Sequence, residues 1–154
     1  MQKFTYIILI ALTVVLTAAT QIPEECDSRA LKAELKLKLK PDFKYDSSKT
    51  SRFTYKSKEQ VKEIEVPLYM GEKYRFLFNT AGLKKAVKVE IYSKPLGHKK
   101  RKLLYKIEPK DGEHIYMFEP EKSRKMYVTY TTAAVEEKEL RGCLVFLVGY
   151  RAKL

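Results

Sequence analysis

Tryptophan is absent from the 154 residues, and histidine and cysteine occur only twice each. The histidine shortage bears on catalysis, because imidazole is the usual proton carrier near neutral pH. His98 lies in the run Gly97-His98-Lys99-Lys100-Arg101-Lys102, where neighbouring cations oppose both protonation and metal binding, and His114 opens a strand after a turn. Both read as surface histidines. A Cys/His zinc site would need all four of these residues from scattered positions at no motif spacing, so no metal ligands are assigned. The sequence also lacks a Gly-rich phosphate loop, a nucleophile elbow and a Ser-His-Asp order. The chain therefore reads as a non-enzyme that needs no cofactor.

Acidic residues are short as well, 19 Asp and Glu against 31 Lys and Arg, for a formal charge of +12. Such a balance suits polyanionic surroundings: acidic polysaccharide, phosphorylated head groups or nucleic acid. The one long uncharged run covers 4–19, after Lys3, and closes on Thr17-Ala18-Ala19. It is shorter than the roughly 20 apolar residues that span a bilayer. Its basic start and small-residue end match a secretory leader cleaved near Ala19, which implies a periplasmic or extracellular protein without a membrane anchor in mature form. Cys26 follows several residues later, behind Ile22-Pro23-Glu24-Glu25, so no lipid anchor is indicated. An exported chain does not meet intracellular nucleic acid, and none is expected as a partner.

The strongest pattern in what remains is 63–79, EIEVPLYMGEKYRFLFN. Ile64, Val66, Leu68 and Met70 share one face at period two, and Tyr74, Phe76 and Phe78 resume it after Gly71-Glu72, which predicts two strands joined as a hairpin. With these two, strands are predicted over about 52–56, 61–68, 73–79, 86–93, 101–107, 113–118, 125–132 and 142–150, with breakers or charged clusters between them. Eight short strands at this spacing predict an all-β, antiparallel two-sheet sandwich of jelly-roll kind. Alternation points Val87, Val89 and Ile91 inward, with Leu103 and Tyr105, Ile115 and Met117, Met126, Val128 and Tyr130, and Cys143, Val145 and Leu147. The last strand is apolar on both faces, since Leu144, Phe146 and Val148 interleave, so it is expected to be central and covered twice.

Ahead of the sheets, Asp27 or Ser28 offers an N-cap, Leu31, Leu35 and Leu39 recur at spacing four, and Pro41 is a stop; this suits a short helix. Leu35, Leu37 and Leu39 also alternate with lysines, so 34–40 reads equally as an edge strand. The polar stretch 41–50 reads as a loop. The organisation is then a leader over 1–19, a helix and linker over 20–50, and one sandwich domain over 51–154.

The series Val66-Pro67-Leu68-Tyr69-Met70-Gly71-Glu72-Lys73-Tyr74-Arg75-Phe76, then Val89-Glu90-Ile91-Tyr92, then Phe118-Glu119-Pro120 before Met126-Tyr127-Val128, resembles bacterial pre-peptidase C-terminal-type domains. Those are small secreted jelly rolls, and the resemblance covers about 64–150. It departs at Lys84-Lys85-Ala86, where the family has an acidic approach to its middle strand, and at Arg124-Lys125, where the family has a glycine before the late tyrosine. The calcium or carbohydrate roles of the family are therefore not carried over. The whole chain also looks like small exported proteins of Gram-negative bacteria, a likeness that implies an address and no activity.

Three features are left as candidate sites. Lys99, Lys100, Arg101 and Lys102, with Lys94 and His98, form a basic patch placed between the fourth and fifth strands, available for an anionic glycan. Tyr69, Tyr92, Tyr116 and Tyr127 fall on the outward phase of their strands and suit sugar stacking or a protein interface with an envelope partner. Glu63 and Glu65 form a carboxylate pair that Lys62 and Lys73 stand close enough to neutralise. Cys26 and Cys143 are expected to form a disulfide, given the even count and the oxidising compartment. The reading is a non-enzymatic exported binding protein of the envelope; the alternatives are a small secreted hydrolase using such an acid pair and a structural subunit of an envelope assembly.

Overall fold

Period-two alternation dictates which side chains are buried together, and it sets the architecture of this chain. The computed structural model describes residues 26–136 and 140–152, so the predicted leader lies outside the described residues. A helix, α1 (Ser28–Leu37), precedes eight strands: β1 (Lys44–Thr54), β2 (Gln60–Val66), β3 (Glu72–Asn79), β4 (Val87–Tyr92), β5 (Leu103–Lys106), β6 (Ile115–Phe118), β7 (Met126–Thr132) and β8 (Arg141–Ala152). They form two four-stranded antiparallel sheets, ordered β1-β8-β3-β6 and β2-β7-β4-β5. β1 pairs with β8, β2 with β7, β3 with β6 and β4 with β5, as in one long ribbon doubled back on itself. Rolling that ribbon brings β8 beside β3 and β7 beside β4, which makes the sandwich a jelly roll.

The inner faces meet through Phe53, Ile64, Val66, Tyr74, Phe76, Phe78, Val87, Val89, Ile91, Met126, Val128, Tyr130, Leu144, Phe146 and Val148. Phe146 on β8 holds this core together, stacked on Phe78 and edge-on to Phe76. A second, smaller core lies outside the first sheet, where Leu35, Leu39 and Phe43 cover Leu77, Val145 and Leu147. The helical reading of the N-terminal segment is the correct one. Asp27 caps α1 by accepting from the Arg29 and Ala30 amides, and of the spacing-four leucines Leu35 and Leu39 are buried and Leu31 half-buried, whereas Leu37, which only the alternating pattern would bury, is left exposed. Full burial of a leucine such as Leu35 stabilises by about 1.5–3 kcal/mol, enough to hold a ten-residue helix that would not persist alone. The expected disulfide joins Cys26 to Cys143 with Cα atoms 5.8 Å apart, pinning the start of α1 to β8.

Five expectations are corrected. β2 and β3 are not a hairpin: the arch over 67–71 carries the chain from one sheet to the other, β2 pairing with β7 and β3 with β8 and β6, because alternation fixes which face is buried and leaves the neighbouring strand open. The stretch 41–50 is not a loop throughout, since β1 starts at Lys44; its Ser, Thr and Lys side chains lie mostly exposed on an edge strand and carry no apolar alternation. In β8 the two faces are exchanged: Leu144, Phe146 and Val148 enter the sandwich, while Cys143, Val145 and Leu147 face the helix side. In β6 the phase is likewise inverted, with Tyr116 buried and Met117 exposed, and in β5 Leu103 is exposed while Tyr105 stacks on Phe118. Short edge strands have too few residues for alternation to decide their phase.

Candidate functional site

Among the described residues, no helix covers the outer face of the β2-β7-β4-β5 sheet. Its side chains follow from register: Glu63 lies opposite Thr129, Glu90 lies on the other side of Thr129, and Tyr92 lies opposite Tyr127, which itself pairs with Glu65. The 93–102 loop folds back across this face. Its Leu96 amide donates to Glu63 Oε1 at 2.9 Å, and Arg101 spans the sheet: Nη1 contacts Glu63 Oε2 at 2.7 Å, Nη2 donates to Thr129 Oγ1 at 2.7 Å, and the guanidinium lies 3.6 Å from the centre of the Tyr92 ring. Burial opposes ionisation of Glu63, but hydrogen bonds from Arg101, the Leu96 amide and Thr129 outweigh it and hold the carboxyl below its ordinary value. Tyr92 donates to Glu90 Oε2, and burial together with that carboxylate pushes its phenol up.

Arg101 thus does not belong to a solvated patch; it clamps the loop to the sheet. The carboxylate pair is neutralised by Arg101 at Glu63 and by Lys125 at Glu65, 2.7 Å away, and not by Lys62 and Lys73. Both acids are committed to ion pairs.

Clamping the loop leaves a cleft of about 360 Å³ between it and the 119–125 connection, lined by Ser93, Lys94, Lys100, Lys102, Arg124, Lys125 and Tyr127. Five of these seven are cations. Lys94, Lys100, Lys102 and Arg124 have no carboxylate within ion-pair distance among the described residues, and Lys125 shares Glu65. Lys99 does not line the cleft. No family model matches the chain, and no curated protein is similar to it. The resemblance to pre-peptidase C-terminal-type domains rests on the quoted residues alone.

The tyrosine set divides. Tyr127 lines the cleft, Tyr92 lies beneath Arg101, and Tyr69 stands exposed on the 67–71 arch. Tyr116 is corrected: it is buried at the other sheet, its hydroxyl donating to Glu113 O and accepting from the Lys110 amide, because β6 has the opposite phase to that expected. Arg124 and Lys125 were the cleft residues hidden from sequence reading, more than twenty positions beyond the basic run; the pairing of β4 with β7, Tyr92 opposite Tyr127, brings them back to it. Neither histidine lines the cleft. His98 Nδ1 accepts from the Lys100 amide, and His114 meets Glu34 at 3.0 Å, joining α1 to the first sheet. Among the described residues no group of three or more His, Cys, Asp or Glu is placed to hold a metal, and no helix is long and apolar enough to cross a membrane.

Proposed function

We propose that this chain is a non-catalytic, exported binding module of the cell envelope, and that its basic cleft takes the acidic groups of an anionic glycan. The observation that carries this reading is the convergence of five cations from two loops on one cleft in which a single carboxylate, Glu65, is paired. Each cation within about 4 Å of an acidic group contributes from about 1 kcal/mol in water-like surroundings towards 4 kcal/mol where the surface lowers the effective dielectric. Tyr127 on the lining offers a ring face of the kind on which sugars stack. The disulfide supports an oxidising compartment, and the leader-like N-terminal sequence supports export.

The test is retention on heparin. Replacing Lys100, Lys102 and Arg124 together by serine should lower the eluting salt markedly, whereas Lys99→Ser, outside the cleft, should change it little. Equal effects per charge removed would mean that retention reports net charge alone, and unchanged elution of the triple variant would remove the cleft from consideration.

A further inference from the structure

Beside the cleft, the 67–71 arch presents Tyr69 at 73% and Met70 at 90% exposure, the two most exposed large apolar side chains among the described residues. The arch is held in place. The Tyr69 amide donates to the Tyr74 hydroxyl at 2.9 Å, that hydroxyl donates to Glu72 at 2.9 Å, and the Ser123 hydroxyl bonds the Glu72 carbonyl. The last of these bonds ties the arch to the 119–125 connection, which supplies Arg124 and Lys125 to the cleft. The acids nearby are mostly committed: Glu65 to Lys125, Glu72 to Tyr74 and Glu119 to Arg75, leaving Glu121 as the acid of that connection without an ion pair among the described residues. A fixed apolar pair next to a cluster of uncompensated cations has the composition that binds where hydrocarbon meets acidic head groups. A thioether at a loop tip adds little to the recognition of a soluble sugar chain, but it gains by leaving water for an acyl boundary.

We infer that the basic cleft and the arch form one docking surface for an anionic lipid surface, with Tyr69 and Met70 entering the interface and Lys100, Lys102 and Arg124 meeting the head-group charge. This rests on the proposed role of the cleft in binding acidic groups and assigns them, where the arch engages too, to a lipid surface in place of a soluble glycan.

The absence of tryptophan supplies the test. Met70→Trp and, separately, Met117→Trp on the exposed side of β6 each introduce a single indole reporter. With vesicles of phosphatidylcholine containing about a third phosphatidylglycerol, the Met70→Trp emission should shift to the blue and be quenched by brominated acyl chains, while Met117→Trp should do neither. Pure phosphatidylcholine should leave both unchanged. In a binding assay with the native arch as reference, Tyr69→Ser with Met70→Ser should weaken vesicle binding about tenfold and leave heparin retention intact. Loss of the three cleft cations should weaken vesicle binding about 100-fold at low salt and lower heparin retention too. If Met70→Trp stays in water while heparin retention by the cleft persists, the lipid docking surface is refuted and the glycan reading stands. Equal shifts at both tryptophans would also refute it, because association would then not proceed through the arch. If neither heparin nor vesicles respond to loss of the cleft cations, the proposed function fails first and the inference with it.

Discussion

Arg101 sits in the middle of the most basic run of the chain, yet its replacement should unfold the outer face and not merely discharge it. Methionine at this position keeps most of the length and the apolar stem over Tyr92 but removes the charge that Glu63 and Thr129 face. The two side chains of the pair are 13% and 17% exposed, between the fully exposed case, where ion pairs contribute about 0–1 kcal/mol, and the fully buried case, where losing one partner costs about 3–5 kcal/mol. Arg101→Met should therefore cost about 2–3 kcal/mol in urea unfolding, whereas Lys100→Ser should stay within about 0.5 kcal/mol. Glu63→Gln added to Arg101→Met should recover part of the loss, since the orphaned charge would be gone. The pH dependence gives a second readout. Because the folded state holds the Glu63 carboxyl below its ordinary value, its contribution is present above the unfolded carboxylate pKa and is lost as pH falls through the lower folded value. Arg101→Met should flatten that part of the acid-side decline. A cost below about 0.5 kcal/mol with an unaltered acid slope would show that Arg101 is a solvated cation and that the clamp is wrong.

Breaking the Cys26–Cys143 bond, which closes a loop with a sequence separation of 117, should destabilise by at most about 4–5 kcal/mol; alkylation without reductant should label no thiol on the native chain, and two labels would reject the bond. Tyr130→Phe should be neutral or slightly stabilising in urea unfolding, because its buried hydroxyl faces only the buried Ser51 hydroxyl and makes no hydrogen bond of good geometry with it, and a loss above about 1 kcal/mol would show that the two hydroxyls are paired. Hydrogen bonds from His114 and then Asn79 hold the Glu34 carboxyl below its ordinary value, so its contribution to stability is present above the unfolded pKa and disappears as pH falls through the folded one. Glu34→Gln should shrink that acid-side change, and identical unfolding midpoints across the acid range for the two proteins would exclude the α1 contact as its source.

Where strands were long and half-buried, alternation was enough to place them: β2, β3, β4 and β7 lie within a residue or two of the expected spans. Pairing was less legible. Nothing local to Val66 or Glu72 says that their strands belong to different sheets, because alternation specifies a face and not a neighbour. β1 was half missed for the opposite reason: an edge strand with solvated Ser and Lys needs no apolar pattern, only the backbone of β8 to pair with. The cleft was legible as charge and illegible as shape. Lys100 and Lys102 could be picked from the run, but the inward turn of Arg101 depends on Glu63, 38 positions earlier, and the far wall depends on Arg124 and Lys125.

The doubled-back order of the strands also has a consequence in time. β8 fills the position between β1 and β3, so the first sheet has a gap at its centre until the twelve residues from Arg141 to Ala152 have been made. β1, β3 and the helix that packs on β8 have no completed surface to settle on before then, and Cys26 must likewise wait for Cys143. Pairings this distant in sequence close slowly. In a nascent chain of this kind the second sheet, which contains no β8, can pair first, whereas the first sheet and the helix that covers it close only once β8 has emerged.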